Sequence, residues 1–164
     1  MKNQGKIFEQ NFRKSIPISD KIYYYRLKDT ASSYYGGNDN LRFSQNNIAD
    51  AIMFYVGSMF SYLFILEFKS HKGKSLPLTC IRKNQLEEMS EASKKIGVRP
   101  ILIVFFSDIE KCYALDIEDV NNFTNSCDRE SIPIEFFENN AKEIETTKLR
   151  TNYKYNIEKW LQQY

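Results

Sequence analysis

An almost unbroken apolar run from Ala51 to Leu66 limits what this chain can fold into more than any other feature. It is cut once, by Gly57-Ser58, and bounded by charge, with Asp50 before it and Glu67 and Lys69 just after it. A membrane helix needs about 20 apolar residues without such a break. The Phe, Tyr, Ile and Val content favours strands, so the run predicts two of them, roughly 48–56 and 60–69, folded as a buried hairpin. The register of that hairpin decides which side chains meet. If Gly57 to Phe60 is a four-residue turn, Val56 pairs with Ser61 and Asp50 falls opposite Glu67. Glu67 and Lys69 are two apart and point the same way. A two-residue turn keeps all three groups on one face, whereas a three-residue turn puts Asp50 on the other.

Two close carboxylates repel each other, and a hard divalent cation such as Mg²⁺, with Mn²⁺ as a substitute, relieves the repulsion. A metal there can polarise a phosphorus centre and lower the pKa of a water, while Lys69 orients that water or neutralises growing charge. Burying these groups in an apolar hairpin without such a use is costly. The plainer reading is a surface Glu67–Lys69 ion pair with Asp50 at a strand end. Glu-x-Lys spacing arises by chance in many chains, so spacing alone leaves both readings open.

The surrounding pattern is that of an α/β protein. Phe8 and Phe12, four apart with Ile7 beside them, predict a short helix over 4–14. Ile22 to Leu27 reads as a strand, and 29–47, rich in Ser, Gly, Asn and Asp around Gly36-Gly37, as a long mobile loop. A connector is expected at 70–81, then a helix at 82–96 burying Leu86, Met89 and Ile96, with Gly97 as its stop. Pro100 to Phe106 is the most apolar run and reads as a central strand, with Lys111 to Asp116 as its neighbour. A short helix at 119–125, mixed signals over 131–150 and a terminal helix at about 155–163 complete the chain. The order predicts a mixed sheet with helices packed on it, in one domain over residues 1–164.

Charge does not by itself announce a nucleic-acid binder. Lys and Arg number 23 against 21 Asp and Glu, for a net +2 and a pI of ≈ 8.3, where a strongly basic footprint lies above about 9. Any polyanion-binding charge must therefore be concentrated on one face. Lys72, Lys74, Arg82 and Lys83 flank the proposed centre and are candidates for DNA phosphates, or form a solvated basic loop. Lys148, Arg150 and Lys154, interleaved with Tyr153 and Tyr155, suit either backbone contact with stacking or an ordinary helix approach. His71, the one histidine, reads as a solvated connector residue in preference to a general base. Tyr23-Tyr24-Tyr25 reads as core strand. Cys80, Cys112 and Cys127 lack the spacing of a disulfide framework or a zinc site and read as reduced thiols of a cytoplasmic protein. The N-terminal residues lack the apolar run of a signal peptide, and no membrane association is expected.

Several segments taken in order carry a resemblance. Asn47-Ile48-Ala49-Asp50, Glu67-Phe68-Lys69-Ser70, Ser75-Leu76-Pro77-Leu78 and Asn84-Gln85 resemble the RecU family of Holliday-junction resolvases, within the PD-(D/E)XK nuclease superfamily. Gly5-Lys6-Ile7-Phe8-Glu9 is similar to that family's first helix, and the likeness runs over roughly 3–117 and more faintly beyond. The resemblance implies a restriction-endonuclease-like mixed central sheet flanked by helices. It implies Asp50 and Glu67 as metal ligands, Lys69 as the catalytic lysine, Glu9 as a helix-one acid shaping the metal site, and Gln85 as a site residue. Where the family usually shows His-Gln, this chain has Asn84-Gln85, so the His role is absent. The family typically acts as a homodimer on four-way junctions with a projecting stalk, for which 29–47 is the candidate. Its size and compact ends look like those of phage-borne relatives. The expected function is that of a Mg²⁺-dependent endonuclease cutting phosphodiester bonds in branched DNA during recombination and repair. A non-catalytic DNA- or protein-binding module on the same fold is the alternative. A hydrolase of another small phosphate ester is a poorer third, since nothing in the sequence specifies a closed pocket.

Overall fold

In the computed structural model, which describes residues 4–27 and 47–164, the apolar run folds as its register predicts. Val56 faces Ser61 and Ala51 faces Leu66 across an antiparallel pair. The four-residue turn closes with the Gly57 N–H donating to the Phe60 carbonyl at 2.9 Å. A Cβ at Gly57 would stand 2.8 Å from that same oxygen, so the turn needs glycine there.

In chain order the elements are α1 (Gln4–Ser15), β1 (Ile22–Arg26), β2 (Ala51–Val56), β3 (Ser61–His71), β4 (Ser75–Pro77), α2 (Lys83–Ser93), β5 (Val98–Phe106) and β6 (Lys111–Asp116). They continue as α3 (Ile117–Ser126), β7 (Ser131–Pro133), α4 (Ile134–Asn140), β8 (Lys142–Ile144), β9 (Thr146–Lys148), β10 (Tyr153–Tyr155) and α5 (Ile157–Leu161). Six strands form one mixed sheet in the order β1-β2-β3-β5-β6-β8. Only β3 and β5 run parallel, and the crossover that this demands carries α2. This is the expected α/β architecture.

The period-two alternation of β3 and β5 divides the interior in two. Phe64, Leu66 and Phe68, with Ile101, Ile103 and Phe105, face α1, α5 and β10. Ile65, with Leu102, Val104 and Phe106, faces α2, α3 and α4. The first layer is aromatic: Phe12 meets Phe68 at 4.8 Å and Trp160 at 6.2 Å, and Phe8 meets Phe68, Phe105 and Tyr155. Phe8 and Phe12, four apart on α1, thus anchor the helix to the sheet.

Several boundaries move. The connector at 70–81 is partly ordered, because β3 runs on to His71 and β4 pairs with β7. α2 ends at Ser93, not 96, and Ile96 is fully exposed in the turn before Gly97, which holds a φ of 82°. A glycine that stops a helix need not stand directly after it. α3 is longer than expected, over Ile117–Ser126. The terminal helix is shorter, because Tyr155 pairs with Thr146 in the β9–β10 hairpin and only Ile157–Leu161 is helical. Of the tyrosine triplet only Tyr24 faces the core layer, while Tyr23 and Tyr25 are exposed. A strand turns alternate residues outward whatever their hydrophobicity. The loop expected at 29–47 lies, up to residue 46, outside the described residues. Cys80, Cys112 and Cys127 are free thiols. No helix among the described residues is long and apolar enough to cross a membrane.

Phe12 is fully buried between both ends of the chain. Phe12→Ala should cost about 3–5 kcal/mol, read as a fall in melting temperature on the order of 10 °C. A melting temperature within about 2 °C of the parent would show that α1 is not anchored by this ring.

Candidate active site

Parity brings charge into the second layer. Glu67 follows Ile65 on the α2 side of β3, Lys69 follows Glu67, and Asp50 falls opposite Glu67 by continuation of the β2–β3 register. Asp50 itself stands one residue before β2, not within it. Its N–H still donates to the Leu66 carbonyl at 3.0 Å, and its own carbonyl accepts the Leu27 N–H at 2.9 Å. The backbone of three strands therefore holds it. Its side chain turns along the sheet, where Oδ2 accepts the Phe68 N–H at 2.8 Å.

Glu67 is 3% exposed. Lys69 Nζ donates to its Oε1 at 2.6 Å, and Gln85 Nε2 donates to its Oε2 at 2.6 Å. Gln85 reaches it because α2 begins at Lys83 and turns Gln85 and Met89, four apart, towards the sheet. Burial, and then the neighbouring Asp50 charge, push the Glu67 carboxyl up to about 7, while Lys69 pulls the other way. The neighbouring Asp50 carboxyl favours the protonated form of Glu67. Sharing a proton is one way to relieve such a pair, and holding a cation is the other.

The donor set suits a hard cation. Each Glu67 oxygen takes one donor and keeps capacity for a second contact, and Asp50 uses only Oδ2 among the contacts described. Gln85 is 2% exposed, yet its Oε1 has no hydrogen-bond partner among the described residues. An acceptor buried beside a carboxylate pair fits a donor such as a metal-held water. Among the described residues no three carboxylates, histidines or cysteines converge at metal-binding distance.

Glu9, the expected helix-one acid, stands on α1, and its Oε2 accepts from Arg26 Nε at 3.1 Å. Tyr24 links the regions electrostatically. Burial first, then the Glu9 charge, pushes its phenol up to about 12, with Asp50 acting in the same sense and Arg13 and Arg26 opposing. Arg26 was not singled out from the sequence, although one cation ending an Ile-Tyr-Tyr-Tyr strand was a usable signal.

His71, at the end of β3, shares the parity of Glu67 and Lys69, so it belongs to the site's face of the strand and not to a loop. Lys72, Lys74, Arg82 and Lys83 are exposed along the segment that leaves β3 and enters α2, and Lys83 lies 3.9 Å from Glu87. The 148–155 cluster divides. Lys148 and the Tyr153 hydroxyl both donate to Glu110, Tyr153 packs on Phe105, and Tyr155 is buried. Tyr155 is therefore core and no stacking surface.

A mixed six-stranded sheet flanked by helices is the architecture of restriction-endonuclease-like proteins. The model of the family "RecU: Recombination protein U" matches residues 33–159, and the chain belongs to that family. Two relatives span most of it. The "SPbeta prophage-derived uncharacterized protein YotM" of Bacillus subtilis (strain 168) is 30% identical over 96% of this chain and 84% of its own length. The "Holliday junction resolvase RecU" of Mycoplasmopsis pulmonis (strain UAB CTIP) is 27% identical over 88% of this chain and 86% of its own.

The raised Glu67 pKa has a stability consequence. Below its unfolded value of 4.5 the carboxyl is protonated in both states. Between 4.5 and about 7 the unfolded chain ionises first, so this group's contribution is lost as pH rises, and above 7 the deficit is complete. Glu67→Gln should leave metal-free stability nearly unchanged at about pH 4.5 and raise it by up to about 3 kcal/mol at about pH 8, measured by urea unfolding. An equal gain at both pH values would mean that Glu67 titrates as an ordinary carboxyl.

Proposed function

We propose that this chain is a metal-dependent endonuclease that hydrolyses phosphodiester bonds in branched DNA, acting as a Holliday-junction resolvase in recombination and repair. The observation that carries the reading is the buried Glu67, opposite Asp50 and bonded to Lys69 and Gln85. Family membership and the resolvase relative supply the substrate class. Asp50 and Glu67 would hold Mg²⁺, or Mn²⁺ in its place, with Gln85 Oε1 directed at the same shell. When bound, the cation adds positive charge against the phosphodiester oxygens and lowers the pKa of a water.

The chain's own groups do the positioning. Gln85 and Lys69 between them fix the plane of the Glu67 carboxylate. The Phe68 N–H fixes Asp50. Lys69 Nζ has three N–H donors, of which one is on Glu67, so two remain for a phosphate oxygen or the attacking water. Lys69 is partly exposed, at 22%, so substrate can reach it. Lys72, Lys74, Arg82 and Lys83 stand next along the chain, where a phosphate backbone leaving the centre would pass. Two symmetric cuts in one junction need two such centres, which a homodimer supplies.

Asp50→Asn and Lys69→Ala should each lower cutting of a synthetic four-way junction by at least about 10²-fold, with the fold retained by circular dichroism. Linear duplex and single strand, each with Mg²⁺, Mn²⁺ and EDTA, complete the assay. Activity near the parental level in either variant, or equal cutting in EDTA, would overturn the assignment.

A further inference from the structure

The cleft between α1 and β1 holds more positive charge than anything assigned so far requires. Lys6, Glu9, Gln10 and Arg13 follow at three- and four-residue steps along one side of α1, and Tyr24 and Arg26 form the facing wall of a space of about 300 Å³. Among the described residues lining it, three are cations and one is a carboxylate. Glu9 is engaged by Arg26, whereas Lys6 and Arg13 are exposed and form no ion pair among the described residues. The cleft abuts the reaction centre through the backbone, since Arg26 pairs with Ala51 and the Leu27 N–H donates to the Asp50 carbonyl. The connector lysines leave from β3, on the other side of Asp50 in the strand order.

We propose that the α1–β1 cleft, through Lys6, Arg13 and Arg26, grips phosphates of the nucleic-acid backbone on the β1 side of the reaction centre. This rests on the endonuclease reading above. Lys6 and Arg13 are seven residues apart on a helix, about 10 Å along its axis, which is about three base-pair rises of duplex DNA. A helix presenting cations at that spacing can follow a backbone without reading bases. Arg26, held by Glu9, is oriented before substrate arrives, and Tyr24 retains its hydroxyl proton as a further donor. The chain thus has a basic bank on each side of its carboxylates, which places positive charge locally despite a net charge of only +2.

The test is binding of a labelled four-way junction and of duplex DNA by fluorescence anisotropy over a salt series, with Ca²⁺ in place of Mg²⁺, beside cutting assays in Mg²⁺. Loss of two phosphate contacts lowers the salt slope by about 1.8, or about 30-fold in affinity at 0.15 M salt. That is the result expected for Lys6→Ala/Arg13→Ala, with Lys6→Arg/Arg13→Lys restoring binding. Parental affinity and slope in the alanine pair, from a parent that binds and cuts, would overturn the cleft assignment alone. A parent that neither binds nor cuts would overturn the endonuclease reading and this one with it. Inorganic phosphate raising the melting temperature of the parent but not of the alanine pair, with DNA binding equal in both, would assign the cleft to free phosphate and also overturn the proposal.

Discussion

Burying a carboxylate in a β-sheet is costly unless its charge is answered, and Glu67 has two donors, Lys69 and Gln85, beside one like-charged neighbour, Asp50. Lys69 comes from two residues along the same strand, Gln85 from the crossover helix, and Asp50 from the start of the neighbouring strand. Each of those groups arrives through a different structural constraint. Lys69 needs only strand parity. Asp50 needs the four-residue turn at Gly57, since a shift by one residue would turn it to the opposite face. Gln85 needs the parallel pairing of β3 with β5, because that pairing brings α2 across the face where Glu67 stands. Much of the fold can be understood as the means by which these conditions are met together.

The two sides of the sheet divide the work. The aromatic side, where Phe8, Phe12, Phe68, Tyr155 and Trp160 interlock, joins the first helix, the central strand and the C-terminal helix into one packed layer. Its buried residues are uncharged among the described residues. The other side is equally apolar around Leu102, Val104 and Phe106 but carries the carboxyl, amide and ammonium of Glu67, Gln85 and Lys69 at its margin, where β3 approaches solvent. A raised Glu67 pKa is a direct consequence of that margin: it is close enough to the core to lose hydration and close enough to Asp50 to resist a second negative charge. Such a group destabilises the fold at neutral pH, because the unfolded chain ionises it more readily.

The parts of the fold that were legible in the sequence were those governed by local periodicity. The hairpin, its turn, the Phe8–Phe12 helix and the Pro100–Phe106 strand follow from residues near one another in the chain. The differences have local physical causes too. Ile96 looked like a helix position because it is apolar, but α2 had already ended, and a turn residue can be exposed whatever its hydrophobicity. Tyr155 looked like part of a basic, aromatic surface because Lys154 and Arg150 are near it in sequence, yet strand alternation turns it inward beneath Ser15. Glu9 could be placed on a helix from the sequence, but its bond to Arg26, 17 residues further on, could not.

By itself, then, the sequence determined the first helix, the Ala51–Leu66 hairpin and the Pro100–Phe106 strand, the one-face grouping of Asp50, Glu67 and Lys69 for an even turn, and the resemblance to a resolvase family. Strand parity and turn length are properties of adjacent residues, so no tertiary information was needed for them. Only the tertiary structure decided that Glu67 is buried, that Gln85 is its second donor, and that Glu9 and Arg26 form a basic cleft with Lys6 and Arg13 at the strand next to Asp50. Those facts depend on which sheet face each helix covers. That choice is made by the packing of surfaces far apart in the chain, and no short-range pattern records it.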